Sequence, residues 1–267
     1  MIKLLKIELR KIASNRTFWI LLGLYIVVLG AVLISAQSFI DSITSQAGAK
    51  SPVPIPNLSI YTFPEIWHNL TFISGYFKIV LGILILIMIT NEYSFKTVRQ
   101  NIISGLSRWD FLKAKIFMLA LISIFSTLFV FLLGLTLGFI NSSVMGFEEI
   151  FSKTAFLFAL CLETFSYLCF ALMVGILVKR SGIAIGILLL YSFVVEPIVN
   201  YYLPYDIDDY MPLKSIRSLI DIPNTSLMRL FGVEFQGYIA FPDALLVSGY
   251  TILFIAISYW ILKKRDL

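Results

Sequence analysis

Uncharged or nearly uncharged apolar runs recur along the chain near residues 17–40, 70–91, 116–140, 154–178, 181–199 and 244–262. Each is close to the ~20 residues that cross a bilayer as a helix. The pattern predicts an all-α polytopic membrane protein with six transmembrane helices in a single transmembrane domain over residues 1–267. Ahead of the first run, Ile2, Leu5, Leu9 and Ile12 recur at intervals of three and four, with Lys3, Lys6 and Arg10 on another face. This predicts an interfacial helix over residues 1–16 that turns at Ser14 and Asn15 into the first span. The plainer reading of the same residues is a basic flank that sets orientation and nothing more. The first run is too long for a signal-peptide core, and Ile34 stands where a small residue should precede cleavage after Ala36.

Composition agrees with lipid as the solvent. The 267 residues are 59% hydrophobic and only 14% charged, against roughly 25% charged in soluble domains. A soluble fold and a disordered chain are both excluded. Cys161 and Cys169 lie about 12 Å apart along one helix, beyond disulfide reach. One histidine, His68, leaves too few soft ligands for a zinc or haem site.

Placing the 21 Lys and Arg residues against the spans sets the orientation. Fifteen fall on one side: Lys3, Lys6, Arg10, Lys11, Arg16, Lys96, Arg99, Arg108, Lys113, Lys115, Lys179, Arg180, Lys263, Lys264 and Arg265. Only five fall on the other: Lys50, Lys153, Lys214, Arg217 and Arg229. The positive-inside rule makes both termini cytoplasmic. These cations hug the inner membrane surface, which gives no support to nucleic acid as a partner.

The outer connections, 41–69 and 200–243, are the long ones. The first carries Pro52, Pro54, Pro56 and Pro64. The second carries Tyr201, Tyr202, Tyr205 and Tyr210 among prolines and is long enough for short helices of its own. Its tyrosines suit either an aromatic belt or a substrate-contacting surface. Gly134/Gly138 and Gly182/Gly186 are small-xxx-small pairs that permit close helix approach without naming an interface.

The inner segment 92–115 carries the most information. Val98, Ile102, Ile103 and Leu106 form an apolar stripe bordered by Lys96, Arg99 and Gln100. Gly105 can end that helix in the left-handed conformation, and Ser107 with Asp110 can cap the next. The segment therefore reads as a helix, a tight turn and a new helix entering the third span, in place of a solvated linker.

Here the residues resemble a known family. Glu92-Tyr-Ser-Phe-Lys-Thr97, then Ile103-Ser-Gly-Leu-Ser107-Arg108, then Phe111-Leu112 and Lys115, look like the cytoplasmic signature of type-2 ABC exporter permeases. Lys96 stands where that family has Gly, and Leu106 where it often has Pro. The resemblance implies that Glu92, Thr97, Arg99, Ile103, Arg108 and Lys115 lie in the element that receives motion from an ATP-binding subunit. It also implies two copies of that subunit under two permease subunits, the second identical or related. No Gly is followed by Lys, so the chain has no Walker A phosphate cradle. ATP and Mg are accordingly expected on the partner, with no cofactor bound directly and no enzyme activity here.

Lys78, Glu163 and Glu196 are the ionisable residues inside spans, where a charge costs about 2.5–3.5 kcal/mol. Lys78 and Glu163 fall at nearly matching depths, so they are expected to pair, as a structural bridge or as substrate contacts. Snorkelling of Lys78 is the alternative. Glu196, beside Pro197, is expected to reach headgroup level. The expected function is thus the membrane permease of an ATP-driven exporter for an amphipathic or lipid-like substrate, peptide or drug. A partner-free carrier or channel is the second reading, and an intramembrane enzyme built on Glu148, Glu149, Tyr205, Asp206 and His68 the third. A chain this short without added domains suits a bacterial inner membrane.

Overall fold

The computed structural model describes residue 8 and residues 10–48, 59–103, 105–142, 146–223 and 237–264. Lys3 and Lys6 of the expected interfacial helix lie outside the described residues. Residues 10–14, which include Arg10, are helical and stop at Asn15. The Asn15 Oδ1 accepts the backbone N–H groups of Thr17 at 3.0 Å and Phe18 at 3.4 Å, the pattern of an N-cap. The first span begins where that side chain satisfies two otherwise orphan donors.

Helix α1 covers Arg16–Gly48, eight residues beyond the expected end at Ile40. At 33 residues it is about 50 Å long, well over the ~30 Å of hydrocarbon. Nothing in its sequence breaks the helix there. Ser42, Thr44 and Ser45 instead return their hydroxyls to carbonyls three or four residues back.

The second span is broken, where the hydrophobic pattern predicts one continuous run. Helices α2 (Ile66–Gly75) and α3 (Lys78–Ser94) meet at a bend of 42°. The next elements are the short α4 (Thr97–Ile103) and the long α5 (Arg108–Asn141). The latter starts at the expected cap, where Ser107 Oγ accepts the backbone N–H of Asp110 at 3.0 Å, and runs unbroken into the apolar stretch from 116. After α6 (Phe147–Phe151) and α7 (Ala155–Val178), Lys179 closes the fourth span in the left-handed conformation, at φ +62°.

The fifth span combines α8 (Ser181–Leu190), a π-helical turn over Tyr191–Val195 and α9 (Glu196–Tyr202). In that turn the Glu196 backbone N–H bonds the Tyr191 carbonyl, five residues back. Pro197, with no N–H to give, follows directly. The outer segment contributes α10 (Tyr205–Asp208) and α11 (Pro212–Arg217), and α12 (Phe241–Lys264) is the last span. Among the described residues no strand occurs. Among the described residues five helices are long and apolar enough to cross a membrane, six with the bent α2/α3 pair counted as one span.

Helix α7 is the centre of the bundle. Of its most apolar stretch 72% is buried, against 17–33% for the other spans that pass alone, and α2, α3, α5 and α12 pack around it. Small residues set how closely they approach. A Cβ on Gly134 would meet the Trp67 ring at 2.7 Å, and Gly138 receives Phe63, so this small-xxx-small pair seats α2 within the chain. The Gly182/Gly186 pair meets nothing of the described chain. Large exposed apolar side chains such as Trp19, Ile124 and Leu128 cover the outside of α1 and α5, as a lipid solvent demands.

Candidate functional site

At the α4 end of the bundle, four charges from three elements meet. Lys115 Nζ, on α5, lies 2.5 Å from Glu8 Oε2 and 2.6 Å from Glu92 Oε1 on α3. Lys11 Nζ stands 3.2 Å from Glu8 Oε1 and 3.5 Å from Glu92 Oε1. Lys115 and Glu8 are buried, so each depends on the others for the solvation that water would otherwise supply. Burial pushes the Glu8 carboxyl up, but Lys115 and Lys11 outweigh it and hold the group below the usual carboxylate range. Burial likewise disfavours the Lys11 ammonium, and Glu92 and Glu8 reverse that. Glu92 Oε2 is buried with no hydrogen-bond partner among the described residues. The cluster ties the segment ahead of α1 to the spans on either side of α4.

The short helix hangs from this cluster. Lys96 adopts the left-handed conformation at φ +56°, which turns the chain out of α3. Thr97 Oγ1 donates to the Glu92 carbonyl at 3.1 Å, satisfying one of the open acceptors at that helix end. Val98 is buried and anchors α4 to the bundle. Ile103 corrects the expected apolar stripe: it is 75% exposed and faces away from the protein. Phe95 is 73% exposed, and Arg99 is exposed too. Arg99 and Ile103, four residues apart, share one face of α4, and Phe95 lies just ahead of the left-handed Lys96. The result is a small apolar and basic surface held out from the membrane domain.

Gly105, at φ +95°, ends the turn, and Arg108 reaches a different place from the one its motif suggests. Its guanidinium donates to the backbone carbonyl of Lys263, so it caps the C-terminal turn of α12. On the far side, Lys179 Nζ lies 5.1 Å from the Tyr93 ring centroid, linking the end of α7 to the end of α3.

A second polar site lies at the other end of α3. Lys78, at its first turn, forms an ion pair with Glu163 in the middle of α7. Gly75, at the break between α2 and α3, makes room for it, since a Cβ there would lie 2.9 Å from Glu163 Oε1. The pair is covered on one side by Tyr167, whose ring centroid is 5.7 Å from Lys78 Nζ. Beside it a cavity of about 180 Å3 runs toward α9 and α11. Glu196 lines this cavity. Expected at headgroup level, it is only 3% exposed, and it accepts the Lys214 backbone N–H on Oε1 at 2.5 Å. The π turn and Pro197 aim it inward.

His68 is a packing residue. It stacks on Phe156 with ring centroids 4.0 Å apart and hydrogen-bonds the Asp221 carbonyl at 2.8 Å. Glu8, Lys11 and Phe95 belong to the α4 end although the motif did not select them. The signal for Glu8 was its place as the one acid in a basic segment.

A protein-family model described as "ABC-2 family transporter protein" matches residues 2–267, nearly the whole chain. No curated protein matches it.

Proposed function

The chain belongs to the ABC-2 transporter family and is a membrane permease of an ABC transporter, and from that premise we propose that it is the permease of an ATP-driven exporter. Its substrate is amphipathic or lipid-like, a class that includes peptides and drugs. ATP with Mg binds and is hydrolysed on a separate subunit, present in two copies beneath two permease chains, the second of them identical or related to this one. The membrane is a bacterial inner membrane, and the fifteen-to-five distribution of cations supports cytoplasmic termini.

The observation that carries the reading is the exposure of Arg99 and Ile103 on a helix anchored by Val98 and braced by the Glu8–Lys115–Glu92 cluster, with Phe95 exposed just ahead of that helix. Large apolar side chains held in water by an ordered element mark a surface that a partner covers. An ATP-binding subunit docks there, and its closure displaces α4. The buried charges pass that displacement to α3, α5 and the segment ahead of α1 together. Glu92, Thr97 and Lys115 brace the element, Arg99 and Ile103 meet the partner, and Arg108 ties the element to α12.

The test is purification of the C-terminally tagged chain from its native membranes under mild detergent. The expected result is a co-purifying soluble protein with a Walker A motif and vanadate-sensitive ATPase activity, released by Ile103→Glu. Recovery of the chain alone, from membranes that contain the ATPase, would overturn the reading in favour of a partner-free carrier.

A further inference from the structure

The cavity between α3, α7, α9 and α11 contains two buried acceptor atoms with no hydrogen-bond partner among the described residues. Glu196 is 97% buried; the Lys214 backbone N–H donates to its Oε1, the Leu213 backbone and the Tyr191 hydroxyl also face the carboxyl, and its Oε2 has no hydrogen-bond partner within 3.5 Å among the described residues. Asn200, one helical turn further along α9, likewise has an unpartnered buried Oδ1. Both residues line the cavity. A buried carboxylate oxygen without a donor is costly, and two such acceptors on one face call for a ligand group with several N–H donors and a positive charge.

The cations around the cavity are not equivalent. Lys78 is committed to Glu163, and Lys214 Nζ is held by Asp208 at 2.6 Å and Asp209 at 2.9 Å. Arg217 is exposed, lines the same cavity and makes no ion pair within 4 Å with any described residue. Its planar fork of donors fits a phosphate.

The size and the opening of the site fit the head of an amphiphile. About 180 Å3 is less than the roughly 300–1,000 Å3 of pockets that enclose whole drug-sized molecules, so a headgroup enters and its tails stay outside. Phe193 and Pro197 belong both to the cavity wall and to an adjoining groove lined by Tyr201 and Tyr202. Those tyrosines are 84% and 80% exposed on the outside of the bundle. The site thus opens sideways, along a surface suited to acyl chains.

We propose that this cavity is a binding site for a phospholipid whose head carries a primary ammonium beside a phosphate, of the phosphoethanolamine type. The ammonium donates to Glu196 Oε2 and Asn200 Oδ1, Arg217 takes the phosphate, and the acyl chains leave across Phe193 and Pro197. A phosphocholine head offers the same phosphate and a charge of the same sign but no N–H donor, so it leaves both acceptors unpaired. The inference rests on the reading of the chain as a membrane permease, but binding requires neither nucleotide nor partner.

The experiment is native mass spectrometry of the delipidated, detergent-purified chain after addition of phosphatidylethanolamine, phosphatidylcholine or phosphatidylglycerol with identical acyl chains. Phosphatidylethanolamine is expected to bind about tenfold more tightly than phosphatidylcholine, the value of one well-made charge-assisted hydrogen bond. Glu196→Gln should remove that preference while leaving phosphatidylcholine binding in place. Arg217→Ala should weaken both lipids. Thermal unfolding of each variant without added lipid checks that the fold is retained, and Asn200→Leu, which removes an acceptor without touching a charge, is expected to reduce the preference as well.

Equal binding of phosphatidylethanolamine and phosphatidylcholine, or a preference unchanged in both Glu196→Gln and Asn200→Leu, would overturn the site. Phosphatidylglycerol binding as tightly as phosphatidylethanolamine would overturn the ammonium assignment. None of these outcomes bears on whether an ATPase co-purifies, so failure here is separable from failure of the permease reading.

Discussion

Lys78 and Glu92 stand at opposite ends of one helix, fourteen residues and about 21 Å apart, and each is tied to a different neighbour. Lys78 pairs with Glu163 on α7, and Glu92 with Lys115 on α5. No break interrupts α3 between them, so a displacement of its α4 end is carried to the cavity.

The Lys78–Glu163 pair should behave as a unit. Lys78→Met or Glu163→Gln leaves the other partner without its counter-ion in a buried setting, at a cost of about 3–5 kcal/mol for a fully broken pair. The exchange Lys78→Glu with Glu163→Lys is expected to recover a large part of that loss, measured by thermal unfolding in detergent. Recovery will be incomplete, because Gly75 leaves little space for a longer side chain at position 163.

Lys115 and Lys11 share both of their carboxylate partners but should differ sharply in worth. Lys115→Met abandons two carboxylates around a side chain that is only 6% exposed, again about 3–5 kcal/mol. The Lys11 side chain is 33% exposed, and its removal should cost no more than about 1 kcal/mol. Equal losses for the two would contradict the geometry.

The same cluster sets a pH window. The folded pKa of Glu8 lies below its ordinary 4.5, so its contribution is fully present above about pH 4.5 and fades as pH falls through the folded value. Lys11 is raised above 10.5, so its share persists up to that pH and fades as pH rises through the folded value. The stability gap between the native chain and Glu8→Gln is therefore expected to be flat across neutral pH and to shrink under acid. A gap that widens on acidification would refute the sign.

On α4, folding and docking should separate. Arg99→Glu and Ile103→Glu alter exposed side chains and should change stability by no more than about 0.5 kcal/mol, yet release a co-purifying ATPase. Val98→Asp buries an unpaired charge and should destabilise the chain itself. Limited proteolysis near residues 95–106 would distinguish the two, with Val98→Asp alone cut faster.

Much of this arrangement was readable beforehand, for identifiable reasons. A bilayer makes charge expensive, so Lys78 and Glu163 stood out against an apolar background and their depths could be compared by residue count alone. The Ser107–Asp110 cap and Gly105 are local chemistry and appear where their spacing puts them. What stayed hidden depends on breaks in helix phase and on contacts between distant segments. Periodicity assigned Ile103 to the buried stripe, but five residues along α4 set it about 140° from Val98, so Val98 alone of this pair turns inward. Glu8 and Lys115 are 107 residues apart, and no local pattern joins them.

The π turn in the fifth span acts as a phase correction. An α-helix rotates about 100° per residue, so the eight residues from Leu188 to Glu196 would leave those side chains about 80° out of line. The additional residue held in the turn over Tyr191–Val195 removes roughly one residue's rotation and returns them to within about 20° of one another. Ala184, Leu188 and Glu196 thereby share the inward face of a span that otherwise presents itself to lipid. Deleting a single residue from the turn would leave seven residues of ordinary α-helix between Leu188 and the glutamate, about 700° and so the same offset of about 20°. Converting the turn to α-helix with all its residues kept would instead swing the Glu196 carboxylate by about 100°, out of the bundle and into the hydrocarbon.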